Sequence, residues 1–355
     1  MQENHADQGQ IRALITDRQW GFDYDKRKDA FMKFGNIDMD FPPIGLGCWA
    51  IGGQWYNLGT TAGWGDVKDE ESLEALDAGI EMGVKLIDTA NVYGAGHSEE
   101  LVGKAIAGRR NKVLISTKFG IQFDENTKTT TGMIQTPEDI IKSCEDSLKR
   151  LGTDWIDLYL FHLEDFAVEQ APMVRDTLEK LAADGKIRSY GWSCSDPERQ
   201  KVFASGAHYQ GCEFALNVLE DDPAMREYLE SQQIVGLCRS PLAMGLLTGK
   251  YNKNSTLSST DLRGKNAPVW MTYFVDGKPN EVFLKKLEAI REILTSEGRT
   301  LAQGCLCWIL GRGAQCVPIP GFKRAAQVRE NAGALEKGAL TKQQMDEIDK
   351  ILGRI

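Results

Sequence analysis

Short apolar runs rich in β-branched and aromatic residues alternate along this chain with segments whose apolar residues recur every three to four positions. The strand-like runs are Ile44–Trp49, Val84–Asp88, Val113–Lys118, Ile156–His162, Ile187–Trp192, Gly211–Asn217, Ile234–Arg239 and Gln315–Ile319. Their nearly continuous apolar character is that of parallel strands covered on both faces. Between them the helical pattern predicts helices over Glu70–Met82, Ser98–Ala107, Pro172–Ala183, Pro197–Ser205, Pro223–Ser231, Val282–Ser296, Thr300–Leu310, Arg324–Leu335 and Thr341–Ile351. Another should begin at Thr136-Pro137, an N-cap followed by proline at the first helical position, place Ile140, Ile141, Cys144, Leu148 and Leu151 inward, and stop at Gly152.

Eight strands joined by right-handed helical crossovers predict one α/β domain, a (β/α)₈ TIM barrel over residues 34–355, after a polar N-terminal extension over 1–33. A doubly wound open sheet is the architectural rival. Leu247–Asn280 interrupts the rhythm after the seventh strand and, being rich in Ser, Thr, Asn and Gly, is expected to be a lid or a disordered loop. Gly45-Leu46-Gly47-Cys48-Trp49-Ala50 matches the dinucleotide pattern G-x-G-x-x-A, but Ile51-Gly52-Gly53 follows where a helix should start. These glycines are therefore expected to end strand one and let its backbone approach a ligand.

Composition narrows the classes. The 355 residues are 42% hydrophobic and 26% charged, with net charge −9, so nucleic acid and anionic membrane are not expected partners. No run of about 18 apolar residues occurs, and Met1–Ala30 lacks the apolar stretch of a secretory leader. Eight cysteines without a C-x-x-C pair fit free thiols in a reducing, cytoplasmic setting. With only His5, His97, His162 and His208 available and unclustered, no metal site is expected.

In a barrel, strand C-termini converge on one face, where active sites sit. Strand two ends in Asp88, with Tyr93 soon after; strand three ends in Lys118 and strand four in His162. Each alone has a structural reading: a cap, a packing ring, a solvated amine, a core imidazole. Together they read as chemistry. A lysine and an aspartate on adjacent buried strands should pair, because an unpaired buried charge is expensive. The ammonium should lower the Tyr93 pKa, letting the phenol protonate an oxyanion while His162 orients the same oxygen.

Gly83-Val84-Lys85-Leu86-Ile87-Asp88-Thr89-Ala90-Asn91-Val92-Tyr93-Gly94, Lys118 in Ile115-Ser116-Thr117-Lys118 and His162 in Leu158-Tyr159-Leu160-Phe161-His162 together resemble the aldo-keto reductase superfamily, over roughly residues 34 to 352. The resemblance implies a barrel that binds NADP(H) across its C-terminal face, with Asp88, Tyr93, Lys118 and His162 catalytic. It implies cofactor contacts at Gly47, Cys48 and Trp49, and at Ser193 and Cys194, where many members have Ser-Asn. Glu213 falls near a family Gln, and Arg239 falls where many members stack an aromatic on the nicotinamide. Ser240, Pro241, Leu242, Gly245, Leu247, Gly249 and Lys250 look like the pyrophosphate loop. Ile319, Gly321, Lys323, Arg324, Gln327, Glu330 and Asn331 look like the adenosine phosphate site.

Trp49, Tyr93 and His162 are the expected substrate contacts, with Trp55, Tyr56 and Trp64 able to extend an aromatic wall. The expected activity is NADPH-dependent reduction of a small-molecule carbonyl. The alternatives are a cofactor-binding regulatory or scaffold subunit resembling the channel β-subunits, and an aldolase using Lys118 as a Schiff base. No pairing between Arg239 and Glu213 is fixed by sequence, and no feature assigns an oligomeric state.

Overall fold

Side-chain alternation decides what fills the middle of this molecule. The computed structural model describes residues 32–34, 37–134 and 136–355; residues 1–31 of the expected extension lie outside the described residues. All eight predicted strands form: β1 Gly45–Gly47, β2 Leu86–Asp88, β3 Leu114–Phe119, β4 Ile156–Phe161, β5 Ile187–Trp192, β6 Gly211–Ala215, β7 Val235–Arg239 and β8 Cys316–Pro318. Parallel ladders run β1-β2-β3-β4-β5 and β6-β7-β8. Isolated parallel bridges, Tyr190 to Tyr209 and Ser193 to Glu213, join β5 to β6, and Gly47 to Gly321 joins β1 to the segment after β8. The order around the ring is thus the order in sequence.

Successive side chains of a strand point to opposite sides. Leu86, Leu114, Leu158, Leu160, Val235, Leu237, Val317 and Ile319 form an interior apolar cluster with Ile37 and Phe41. Those two residues come from a segment the strand pattern did not predict, Ile37–Phe41, paired antiparallel with Met32–Phe34, and they cover the end of this cluster away from the strand C-termini. The expected boundary at residue 34 therefore falls inside a hairpin. Two residues on from Leu86, four from Leu114 and two from Gly211, the same inward rows carry Asp88, Lys118 and Glu213. Outward neighbours such as Ile87, Ile115, Tyr159 and Trp192 belong to the larger core under the helices.

The helices match their predicted spans to within one or two residues at most ends. At Pro137–Leu151, Thr136 accepts from the Asp139 amide (3.2 Å) and Gly152 closes the helix in the left-handed conformation (φ 62°). The expected single helix over Arg324–Leu335 is instead two, Ala325–Ala332 and Ala334–Lys337. Two small hairpins were not legible: Tyr56–Asn57 with Thr60–Thr61, and Ile121–Asp124 with Thr129–Met133, which form one four-stranded sheet. Their threonine-rich strands lack an apolar run and are tied by polar contacts such as Thr130 Oγ1 to Asn57 Oδ1 (2.9 Å). No helix among the described residues is long and apolar enough to cross a membrane.

Phe41 is fully buried at the foot of the barrel interior. Phe41→Ala should lower unfolding free energy by about 3–5 kcal/mol, as aromatic truncations in packed cores do, read as a fall in the urea midpoint. An unchanged midpoint would mean that the hairpin does not seal the barrel.

Candidate active site

Asp88 ends β2 and Lys118 lies near the end of β3, both inward, so strand geometry alone brings them together. Lys118 is 0% exposed. Its Nζ donates to Asp88 Oδ2 (2.7 Å) and to the Thr89 carbonyl (2.9 Å), and lies 3.0 Å from Glu213 Oε2. Ser116 Oγ donates to the other Asp88 oxygen (2.9 Å). One buried ammonium thus sits between two buried carboxylates. The second carboxylate answers the question that the sequence left open: Glu213 pairs with Lys118, and Arg239 pairs with Glu164 (3.1 Å) at the partly exposed mouth. The Glu213 contact is close in charge but poorly aligned, leaving Oε2 without a hydrogen bond.

Tyr93 sits in the turn between β2 and the helix His97–Ile106. Its position depends on a backbone crossing: a Cβ on Gly94 (φ 66°) would fall 2.0 Å from the Gly52 carbonyl oxygen, and one on Gly52 would meet Tyr93 at 2.8 Å. Only glycine permits that approach. Lys118 Nζ lies 5.2 Å from the Tyr93 ring centre, Trp49 stacks on the ring at 5.7 Å, and the His162 ring stands edge-on at 6.1 Å. The four residues read from sequence therefore meet. Trp64 packs edge-on against Trp49, joined by Trp270, which the sequence reading missed. Trp55 is buried behind Tyr93, and Tyr56 lies exposed on a hairpin strand.

Burial pushes the Asp88 carboxyl up to about 7, with Lys118 opposing and Glu213 adding to the rise. Burial would lower the Lys118 pKa, but Asp88, Glu213 and Tyr93 overcome it and the net shift is upward. The Tyr93 phenol also moves up: burial dominates, Lys118 pulls down, and Glu213 and Asp88 push up. The ammonium does lower this pKa as expected, but desolvation and two carboxylates outweigh one cation and the net shift is upward. Tyr93 holds its proton firmly and is arranged as a donor. His162 is lowered to about 3 by burial, then by Lys118 and Arg239, and its Nδ1 has no hydrogen-bond partner.

The expected cofactor residues fall into two groups. Ser240 (φ 53°), Met244 (φ 53°), Gly245 (φ 89°) and Gly249 (φ 78°) make a left-handed turn after β7. Such turns point successive amides into an anion-binding hollow. Lys323 donates to the Trp64 carbonyl and lies where burial, Arg263, Lys250 and Arg324 all lower its pKa against Asp261, so positive charge is concentrated there. Arg263, also missed, is 6% exposed. It forms a fork on Asp261 (2.8 and 2.6 Å), donates to the Met244 carbonyl (2.8 Å) and lies over Trp64 (4.7 Å). Arg263 belongs to Leu247–Asn280, which is a packed strap: Leu262 N bonds the Gly63 carbonyl (3.2 Å), and Asn217 Nδ2 bonds Tyr273 Oη (2.7 Å). Ser193 Oγ lies 3.4 Å from Glu213 Oε1. Pro241, Leu242, Ile319 and Asn331 line the rim as buried residues, and Gly321 and Gln327 are exposed.

The second group is buried, engaged with other protein groups or at the surface. Cys194 is in the core, its thiol 3.3 Å from Gln200 Nε2; Cys48 and Leu247 are fully buried. A Cβ on Gly47 would lie 2.5 Å from the Ile319 carbonyl oxygen, so this glycine serves the approach of protein backbone. Arg324 pairs with Glu71 (2.9 Å) at the surface, and Glu330 is exposed. Unpartnered buried atoms on Trp64, His162 and Glu213, the left-handed turn and the cations beside it together fit an elongated anionic cofactor with a polar head. Among the described residues no cluster is arranged to hold a metal.

Residues 43–353 match the model of the aldo/keto reductase family. The chain belongs to that family. It is 32% identical over 316 residues to the aldo-keto reductase yakc [NADP(+)] of Schizosaccharomyces pombe, covering 86% of each chain. It is 31% identical to the aldo-keto reductase YhdN of Bacillus subtilis, covering 87% of this chain and 89% of that protein. Among solved structures it resembles the glycerol dehydrogenase AKR11B4 of Gluconobacter oxydans, with TM-score 0.78 and 30% identity over 92% of this chain and 96% of that one.

The lowered His162 pKa gives a signed expectation. Protons bind the unfolded chain first, near the ordinary histidine value of about 6.5, so this group's stabilising contribution is present above that pH and is lost as pH falls towards 3. The His162 ring nitrogens should show neutral-imidazole NMR shifts from pH 5 to 8; titration inside that window would contradict the desolvated environment.

Proposed function

We propose that this aldo-keto reductase is an NADP(H)-dependent oxidoreductase that interconverts a small aldehyde or ketone and its alcohol, with Tyr93 as general acid. The observation that carries the reading is the convergence of Tyr93 and His162 beside the buried Asp88–Lys118–Glu213 cluster. NADPH, when bound, supplies the hydride. Tyr93 Oη gives its proton to the carbonyl oxygen as charge develops there. Lys118 stabilises the phenolate left behind, and the lysine's own charge is held by Asp88 and Glu213. His162, neutral, donates a hydrogen bond to the same oxygen, orienting it without competing for the proton.

The remaining residues bind and exclude water. Ser193 would hold the carboxamide of the cofactor, the turn from Ser240 to Gly249 its pyrophosphate, and Lys323 a phosphate. The name of the solved glycerol dehydrogenase describes oxidation, the same proton path run backwards. Trp49, Trp64 and Trp270 favour substrates with an apolar face. Eight free, buried thiols support a reducing, cytoplasmic setting.

A panel of aldehydes, ketones and quinones, read by loss of NADPH absorbance, tests the activity. Tyr93→Phe should lower kcat by about 10²–10⁴ while the dissociation constant for NADPH stays within error. Turnover equal to the parent enzyme would remove Tyr93 from the acid role.

A further inference from the structure

The charges buried around Lys118 do not cancel. Lys118 contributes one positive charge; Asp88 and Glu213, each 2% exposed, contribute two negative ones. Tyr93 and His162 are neutral. The next cation, Arg239, is matched by Glu164 at 3.1 Å. Glu213 stands at the junction of this cluster with the mouth: its Oε2 faces Lys118 without an aligned hydrogen bond, and its Oε1 is 3.4 Å from Ser193 Oγ, which closes the seam between β5 and β6. A surplus negative charge in a desolvated site raises the energy of the apoenzyme and is relieved by a cationic ligand. Burial, more than the neighbouring Glu213, raises Asp88 to about 7, so the surplus is complete only above neutral pH and the binding comparison belongs there.

From this arrangement we infer that Glu213 sets which redox form of the cofactor the site prefers, binding the positively charged oxidised nicotinamide more tightly than the neutral reduced ring. The inference rests on the proposed NADP(H) site and names a residue outside its proton path. It reverses the bias that a bare Arg239 would give, because Glu164 neutralises Arg239 while only half of the Asp88–Glu213 charge is matched by Lys118. A unit charge several ångströms away, at the effective dielectric of a protein interior, is enough for about a tenfold difference in affinity.

The test is fluorescence titration of the full-length protein with NADP⁺ and with NADPH. Wild-type enzyme should bind NADP⁺ more tightly. Glu213→Gln, which keeps shape and removes the charge, should shift the ratio of the two dissociation constants by about tenfold towards NADPH. Glu164→Gln, a surface change, bares Arg239 and should move the ratio in the same direction; a wild-type preference for NADPH overturns the inference even if Glu213→Gln does not fold. If both forms bind and neither variant moves the ratio, the role of Glu213 is overturned while the cofactor reading stands. If neither form binds wild-type protein, the cofactor reading fails and this inference falls with it.

Discussion

Lys118 has its whole side chain inside the barrel, so its ammonium must be matched by groups fixed on other strands. Asp88 on β2, Glu213 on β6 and the Thr89 carbonyl do this within 3.0 Å. Removing either partner strands a charge in a place where water cannot reach it. The requirement ties together strands that lie far apart around the ring and fixes the amine beside the Tyr93 ring. Burial, with these charges beside it, keeps the tyrosine protonated and His162 neutral, two conditions for a phenol to act as donor while an imidazole only orients. Below it, the apolar rows that end on Ile37 and Phe41 keep water out from the opposite side.

What could be seen in the sequence follows from how each feature is encoded. Short, nearly continuous apolar runs encode the barrel strands, and residues at their C-termini converge by geometry, so Asp88, Lys118 and His162 are legible from the strand pattern alone. Tyr93 is legible because it follows Asp88 closely. Glu213 stood out but without its true partner, since which of two nearby cations an acidic residue faces depends on barrel stagger, which periodicity does not carry. Its inward direction was available: it sits two residues after Gly211 on a strand whose outward row is Cys212 and Phe214. Arg263 and Trp270 were missed because a charge and an aromatic in a Ser- and Gly-rich stretch look like solvated loop residues. Only the fold of the strap shows that Arg263 is buried on Asp261 and Trp64. The small hairpins flanking the mouth escaped for a similar reason, being held by threonine hydroxyls in place of an apolar face.

Glycine reads differently in the two places where it is most conspicuous. The Gly45-Leu46-Gly47 string looks like a nucleotide loop, yet its glycines let β1 lie against the segment after β8, with no room for a Cβ between Gly47 and Ile319. Gly52 and Gly94 draw less notice in the sequence and matter more to the chemistry, because their backbones cross at Tyr93. Strain at the cofactor side is concentrated after β7, where Ser240, Ala243 and Met244 all take positive φ. Non-glycine residues hold such angles only where surrounding contacts over-determine them, and Arg263 on the Met244 carbonyl is one such contact.

The central claim is that a fully buried lysine remains an ammonium because two carboxylates hold it. The most direct measurement is the ¹⁵N or ¹³Cε NMR signal of Lys118, assigned by comparison with Lys118→Met and followed from pH 6 to 10. The account predicts the shifts of a charged amine throughout that range. The signal of a neutral amine anywhere within it would contradict the claim.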